Sequence, residues 1–271
     1  MELNNIDFML LTKMVQNLVP TALKCGSEIM KVYNTDFDIK KKADKSPVTK
    51  ADIIAETIIL DELGKLTPAI PIVAEEQCER KGLPDFKGTT FWCVDALDGT
   101  KEFIKRNGNF TVNIGLLVNG QPSLGIIYAP AHDKLYTGIQ CAKTGRQEAT
   151  LTANKKTMPI RTRKKPHAGI TIVNSASHEN KPALDEFITP LKVKENISIG
   201  SSIKFCWIAE GKADLYPRFG PTSEWDIAAG HAILLAAGGH LIRSNGKHML
   251  YKKEKQRYLN DDFFASGQPW P

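Results

Sequence analysis

Residues 91–100 read Phe91-Trp92-Cys93-Val94-Asp95-Ala96-Leu97-Asp98-Gly99-Thr100. Four consecutive apolar residues predict a short buried strand, and that strand runs straight into a carboxylate. Asp98 follows three residues later, and Gly99 behind it is the residue type that lets a chain reverse. A carboxylate at the end of an apolar strand projects from a buried scaffold into whatever cleft lies beyond. Two further places share this look. Ile72-Val73-Ala74 runs into Glu75-Glu76, and Asp226 stands between Trp225 and the apolar run Ile227-Ala228-Ala229. Carboxylates that converge without counter-charges repel one another and hold protons more tightly. A hard divalent cation resolves that conflict, and Mg²⁺ takes carboxylates, a carbonyl, waters and substrate phosphate. The pattern predicts a magnesium-dependent phosphate site. Taken singly, the pieces have plainer readings. Asp98-Gly99 suits a hairpin turn, Asp226 a helix N-cap, and Glu75-Glu76 a polar strand end. Their company is what points to a metal.

Working outward, the chain alternates helical and strand-like patterns without internal repeats. Phe8, Leu11, Met14-Val15, Leu18, Ala22 and Ile29 predict an amphipathic helix over residues 6–33, broken or kinked at Pro20. Lys40-Lys41-Lys42 and Asp44-Lys45-Ser46-Pro47 mark a loop or hairpin. A helix fits from Thr49, with Ala51, Ile54, Ala55, Ile58, Ile59 and Leu63 on one face. Residues 70–74, 91–94, 110–118 and 124–128 read as strands, Val112, Ile114 and Leu116 alternating as a strand requires. The composition turns basic around residues 143–168, which places a seam there. Beyond it come a strand at 168–173 and helices at 181–191, 203–210 and 226–237, the last stopped by Gly238-Gly239. These patterns give a layered α/β fold with two sub-domains, residues 1–150 and residues 151–271.

At 271 residues, 42% hydrophobic and 24% charged, the composition is that of a globular protein and excludes disorder, collagen and coiled coil. A net charge of +6 suits an anionic ligand. Cys25, Cys78, Cys93, Cys141 and Cys206 form no CxxC pair and no Cys/His ligand spacing, which argues against a disulfide framework or structural zinc and for a reducing compartment. The first residues lack a basic region and an unbroken apolar run, so no signal peptide is expected. Ala232–Ala237 is too short to span a bilayer. The expectation is a cytoplasmic protein with no nucleic-acid partner, since the basic segment 161–165 lacks interleaved aromatics.

Taken whole, Asp95-Ala96-Leu97-Asp98-Gly99-Thr100 resembles the DPxDGT signature of the inositol monophosphatase superfamily, a set of Mg²⁺-dependent, lithium-sensitive phosphatases. Trp225-Asp226-Ile227-Ala228-Ala229-Gly230 resembles its WDxAAG signature, Glu75-Glu76 its upstream acidic pair, and Val48-Thr49-Lys50-Ala51-Asp52 its VTxAD segment. Ala96 departs from the usual Pro, which loosens a turn without removing a ligand. The resemblance implies the family's layered αβαβα sandwich. It implies a first Mg²⁺ at Glu75, Asp95 and the Leu97 carbonyl. A second is implied at Asp95, Asp98 and Asp226, and a third, weaker one near Glu75. Catalytic roles fall to Asp52, Glu75 and Thr100, with Thr100 and Asp52 orienting the attacking water. Backbone N–H groups of Gly99 and Thr100, where a helix begins, suit the phosphate.

The second half narrows the substrate. Gly200-Ser201-Ser202-Ile203-Lys204-Phe205-Cys206, Leu215-Tyr216-Pro217-Arg218-Phe219-Gly220-Pro221, the segment 98–108 and Ser177-His178 resemble the CysQ-type 3′(2′),5′-bisphosphate nucleotidases. Those enzymes release the 3′-phosphate of adenosine 3′,5′-bisphosphate, a by-product of sulfate assimilation, leaving AMP. A bisphosphate carries a second anion beyond the metals, and Lys204 and Arg218 are the cations to meet it. His178 and Ser201 would line the nucleoside, and Glu75, Leu97, Asp98, Gly99, Thr100 and Asp226 would touch the substrate at the metals. An inositol-1-phosphate or sugar phosphate substrate on the same metal site is the alternative. Such nucleotidases have been assigned to the cytoplasmic face of the inner membrane, though no amphipathic anchor here demands it. Oligomeric state is left open.

Overall fold

The computed structural model describes residues 6–41, 47–177 and 180–269. Asp7 opens helix α1 (Phe8–Tyr33) by accepting the Leu10 N–H, and α1 buries Phe8, Leu11, Met14, Leu18, Ala22, Cys25 and Ile29. Pro20 lies inside this helix without ending it. A proline costs an internal helix about 3 kcal/mol. Burying Leu18 and Ala22 on either side of it, both fully enclosed, together with the rest of the apolar face outweighs that cost. A short antiparallel hairpin, β1 (Ile39–Lys41) and β2 (Pro47–Thr49), leads into α2 (Lys50–Leu66), and Lys42, Asp44, Lys45 and Ser46 lie outside the described residues.

Next come β3 (Ile72–Ala74), α3 (Glu75–Lys81), β4 (Phe91–Asp98), the five-residue α4 (Thr100–Ile104), β5 (Thr111–Val118), β6 (Gln121–Ala129), β7 (Lys134–Gln140), β8 (Gln147–Ala153) and β9 (Lys156–Pro159). Strands β3 to β9 form one sheet in chain order, parallel between β3 and β4 and antiparallel thereafter. Residues 151–159 complete β8 and β9 of this sheet. The passage to the second sheet falls between Pro159 and Ile170.

That second sheet holds β10 (Ile170–Ser175), β11 (Val193–Ile199), β12 (Leu215–Arg218), β13 (His240–Arg243) and β14 (Phe263–Ser266) in the order β11-β10-β12-β14-β13. Helices α5 (Lys181–Ile188), α6 (Ile203–Ala209) and α7 (Glu224–Ala236) are the remaining described α-helices, and short 3-10 turns lie at Pro130–His132 and Glu254–Gln256.

The packing makes five layers. Trp92, Val94, Val112, Ile114 and Leu116 of the first sheet join α1 and α2 in one core. Phe91, Cys93 and Leu117 join Phe205, Ile208, Ile227, Ala228, Tyr216 and Phe263 in a second, so α6 and α7 lie between the sheets. Phe187 of α5 stacks on Phe264 at 4.7 Å and covers the outer face of the second sheet. The order is helix, sheet, helix, sheet, helix, the layered α/β architecture expected from the sequence.

A row of glycines sets how closely α7 approaches. Gly115 pairs with Gly125, and Gly125 with Gly138, across β5, β6 and β7. A Cβ on Gly125 would stand 2.1 Å from the Ala229 carbonyl oxygen, and one on Gly138 2.4 Å from the Ile233 Cα. Three missing side chains let the helix backbone lie on the sheet.

Candidate active site and metal centre

One cleft between the layers is lined by Glu75, Asp95, Leu97, Asp98, Gly99, Thr100, Glu102, Ser201, Ser202, Lys204, Arg218 and Asp226, with Lys101, Ser175, Ser177, Gly200, Phe205, Tyr216, Pro221, Thr222 and Ile227. The site residues expected from sequence gather here. Two exceptions stand apart: Asp52 acts on the cleft through Thr100, and His178 lies outside the described residues.

Glu75 is the first residue of α3, and Asp95 comes at a register shift near the end of β4. Asp226 is not the N-cap of α7 but its third residue. Ser223 is the cap, and Asp226 completes a capping box by accepting the Ser223 N–H at 2.7 Å. Glu75, Asp95 and Asp226 bring carboxylate oxygens within 4.8 Å of one another. Burial, reinforced by the charges of Asp98 and Glu75, pushes the Asp226 carboxyl well above the usual range. Charge on this carboxyl is disfavoured there unless a cation compensates it. Five carboxylates (Glu75, Asp95, Asp98, Glu102 and Asp226) face three cations (Lys101, Lys204 and Arg218) around the cleft, so a dianionic ligand meets net negative charge there. An all-oxygen donor set with excess negative charge fits a hard divalent cation such as Mg²⁺.

Asp98 is held differently. Its Oδ2 accepts from the Ser202 N–H at 2.6 Å, the Ser202 hydroxyl at 2.8 Å and the Asn113 amide at 3.1 Å. Burial raises its pKa, while the nearby Lys204 charge and these donors oppose the rise. The Ser202 hydroxyl also stands 2.7 Å from the Asp226 carbonyl, and its single proton serves one acceptor at a time. Asn113 and Ser202 were not assigned roles from sequence. The signal at Asn113 is a lone amide inside the alternating apolar run of β5.

Asp52 is both a cap and a site residue. As the third residue of α2, its Oδ2 accepts the Thr49 N–H at 2.8 Å and the Thr49 hydroxyl at 2.7 Å. Its Oδ1 faces the Thr100 hydroxyl at 3.0 Å, and that hydroxyl lies 3.3 Å from the Leu97 carbonyl. The Leu97 N–H donates to Asp95 Oδ1 at 3.0 Å. Gly99 adopts a φ of 93°, in the left-handed region, and no side chain caps α4 behind it. A Cβ there would stand 3.0 Å from the Asn109 carbonyl, so the turn needs glycine on both counts.

The cations are deeply set. Lys204, 5% exposed, donates to the Ser201 carbonyl at 2.6 Å and the Ile199 carbonyl at 3.2 Å, with its ammonium 5.0 Å from the Tyr216 ring centre. Arg218, 4% exposed, donates through Nη2 to the Pro221 carbonyl at 2.6 Å and through Nε to the Gly220 carbonyl at 3.3 Å. Neither is a solvated surface cation. Ser201 holds a positive φ of 54°, turning the chain between β11 and α6.

Five layers with a carboxylate cluster at strand and helix ends, beside buried cations, define a metal-dependent phosphatase scaffold. Residues 10–266 match the inositol monophosphatase family, and the chain belongs to it. It is 42% identical over 255 residues to the 3′(2′),5′-bisphosphate nucleotidase CysQ of Escherichia coli strain K12, covering 93% of this chain and 99% of that protein. It also resembles the crystal structure of CysQ from Bacteroides thetaiotaomicron, described as a bacterial member of the same family. The TM-score is 0.76 and the identity 34%, over 95% of this chain and 98% of that one. An inositol monophosphatase from Thermotoga maritima shares the fold at a TM-score of 0.75 and 23% identity, over 94% and 92% of the two chains. Among the described residues no helix is long and apolar enough to cross a membrane.

Proposed function

We propose that the protein is a 3′(2′),5′-bisphosphate nucleotidase that hydrolyses the 3′-phosphate of adenosine 3′,5′-bisphosphate to AMP and phosphate, a reaction linked to sulfate assimilation. The observation that carries this reading is the joining of two features in one cleft. A cluster of Glu75, Asp95 and Asp226 stands beside two enclosed cations, Lys204 and Arg218. Likeness to proteins named CysQ supports the same choice. An inositol monophosphate offers one phosphate to the metals and brings no second anion to Lys204 and Arg218.

Glu75, Asp95, the Leu97 carbonyl, Asp98 and Asp226 would hold two Mg²⁺ ions, with a third, weaker one near Glu75. When bound, these ions neutralise the phosphate oxygens and make water acidic enough to attack at neutral pH. The chain's own part is positioning and proton transfer. Thr49 pins one oxygen of Asp52 and leaves the other to the Thr100 hydroxyl. Thr100 accepts a proton from the attacking water while passing its own to Asp52 Oδ1. The phosphorus–oxygen bond to the ribose breaks, and the 3′-oxygen leaves as a hydroxyl by taking a proton from solvent in the cleft, while the proton on Asp52 returns to solvent. Glu75 would share in holding the water. Gly99 and Thr100 present backbone N–H groups to the phosphate. Ser201 faces the nucleoside; His178, to which the resemblance gives the same role, lies outside the described residues. Lys204 and Arg218 meet the 5′-phosphate, and Arg218 Nη1 has no partner among the described residues to compete for it. The five buried free thiols support a reducing, cytoplasmic setting.

Phosphate release with Mg²⁺, compared between adenosine 3′,5′-bisphosphate and inositol-1-phosphate with and without lithium, tests this reading. Strong, lithium-inhibited release from the nucleotide is expected. Preference for inositol phosphate would overturn the roles of Lys204 and Arg218, and silence on both would overturn the catalytic reading.

A further inference from the structure

Of the carboxylates lining the cleft, Glu102 has no work in the metal arrangement or the proton relay. It is nevertheless enclosed, at 4% exposure. Its Oε1 accepts the Ser177 hydroxyl at 2.5 Å, and Lys105 Nζ reaches the same hydroxyl at 3.4 Å. A Cβ on Gly200 would stand 2.4 Å from its Cγ and 2.7 Å from its Cδ, so the glycine at 200 leaves the space this side chain fills. The second oxygen, Oε2, has no partner among the described residues. It is not among the sealed polar atoms either, and so keeps access to the cleft. A carboxylate oxygen accepts only, and an enclosed one without a donor is costly. A ligand that fills the cleft and excludes solvent must bring that donor.

Position narrows the choice. Glu102 lines the same cleft as Gly99 and Thr100, and its carboxyl packs on Gly200, the neighbour of Ser201, so it stands between the residues assigned to the phosphate and the one assigned to the nucleoside. On a ribonucleotide, the hydroxyl donor nearest the 3′-phosphate sits on the adjacent carbon. Resting on the nucleotidase reading above, we propose that Glu102 accepts a hydrogen bond from the 2′-hydroxyl beside the phosphate being removed. It thereby selects ribonucleotide over deoxyribonucleotide bisphosphates.

The test compares kcat and KM for adenosine 3′,5′-bisphosphate and its 2′-deoxy analogue, in the wild type and in Glu102→Ala and Glu102→Gln. The wild type is expected to favour the ribonucleotide in kcat/KM by about tenfold or more, as a hydrogen bond to a charged group provides. Glu102→Ala should bring the two substrates within about twofold of each other by losing the ribonucleotide's advantage, with Glu102→Gln between. Equal losses on both substrates would make Glu102 a strut between α4 and the Ser177 loop and overturn the proposal. A wild type that hydrolyses both equally well would overturn it without any variant. A wild type that hydrolyses neither would instead remove the nucleotidase reading, and this one with it.

Discussion

Asp52 and Asp226 occupy the same position, the third residue, of two helices far apart in the chain. Each satisfies backbone donors at its helix start and still offers carboxylate to the cleft: Asp52 to the Thr100 hydroxyl, Asp226 to the cluster with Glu75 and Asp95. Capping fixes a side chain that would otherwise rotate, so it pre-orients the catalytic group rather than competing with it. Asp52→Asn and Thr100→Val should each lower kcat by about a hundredfold, with KM moved far less, as loss of a positioned base does. Steady-state kinetics on the two singles and the double check this. A double variant no slower than the worse single fits one relay, and additive losses would separate the two residues. The residue types of this machinery were legible in the sequence because acids beside apolar runs are a local signal. The capping geometry was half legible, since Asp226 was expected at the N-cap and stands three positions beyond it. Asn113 and Ser202 were not legible, because nothing near either in sequence shows that both donate to Asp98.

Helix α7 carries Asp226 into the cleft, and its depth is set by the sheet beneath it. The aligned glycines of β5, β6 and β7 face Ala228, Ala229 and Ile233. On the other side Gly230 admits the Phe205 ring, whose Cδ2 would lie 2.5 Å from a Cβ there. Gly125→Ala therefore drives a methyl group into helix backbone that has no rotamer to change. It should cost about 1–3 kcal/mol of stability or more, read from the midpoint of chemical denaturation. A variant as stable as the wild type would show that the close approach of α7 is dispensable. Helices α1 and α2 were legible because each buries one apolar face, and strands β4 to β6 because apolar runs bury both of their faces between two layers. Strands β7, β8 and β9 were not. Their apolar residues are sparse: β9 is exposed throughout and held by backbone pairing to β8. Pro20 misled in the other direction, since its local cost is overruled by the core that α1 covers.

At the scale of the molecule, the carboxylates come from β4, α3 and α7, elements on both sides of the passage between the sheets, so occupancy of their site is linked to the fold. Mg²⁺ should raise the melting temperature in a concentration-dependent way, as any ligand of the native state does. Asp95→Asn should abolish both that rise and turnover while leaving the metal-free protein folded. A melting temperature indifferent to Mg²⁺ in the wild type would argue against the metal site. The sequence by itself determined the chemistry available: which residues are acids at element ends, where the chain turns on glycine, and the family its motifs resemble. Those signals act within a few residues, through capping, turn geometry and periodic burial. Only the tertiary structure decided which groups meet. Asp52 reaches Thr100 across 48 residues and Ser202 reaches Asp98 across 104. Contacts of that span depend on how whole layers pack, and no local pattern encodes them.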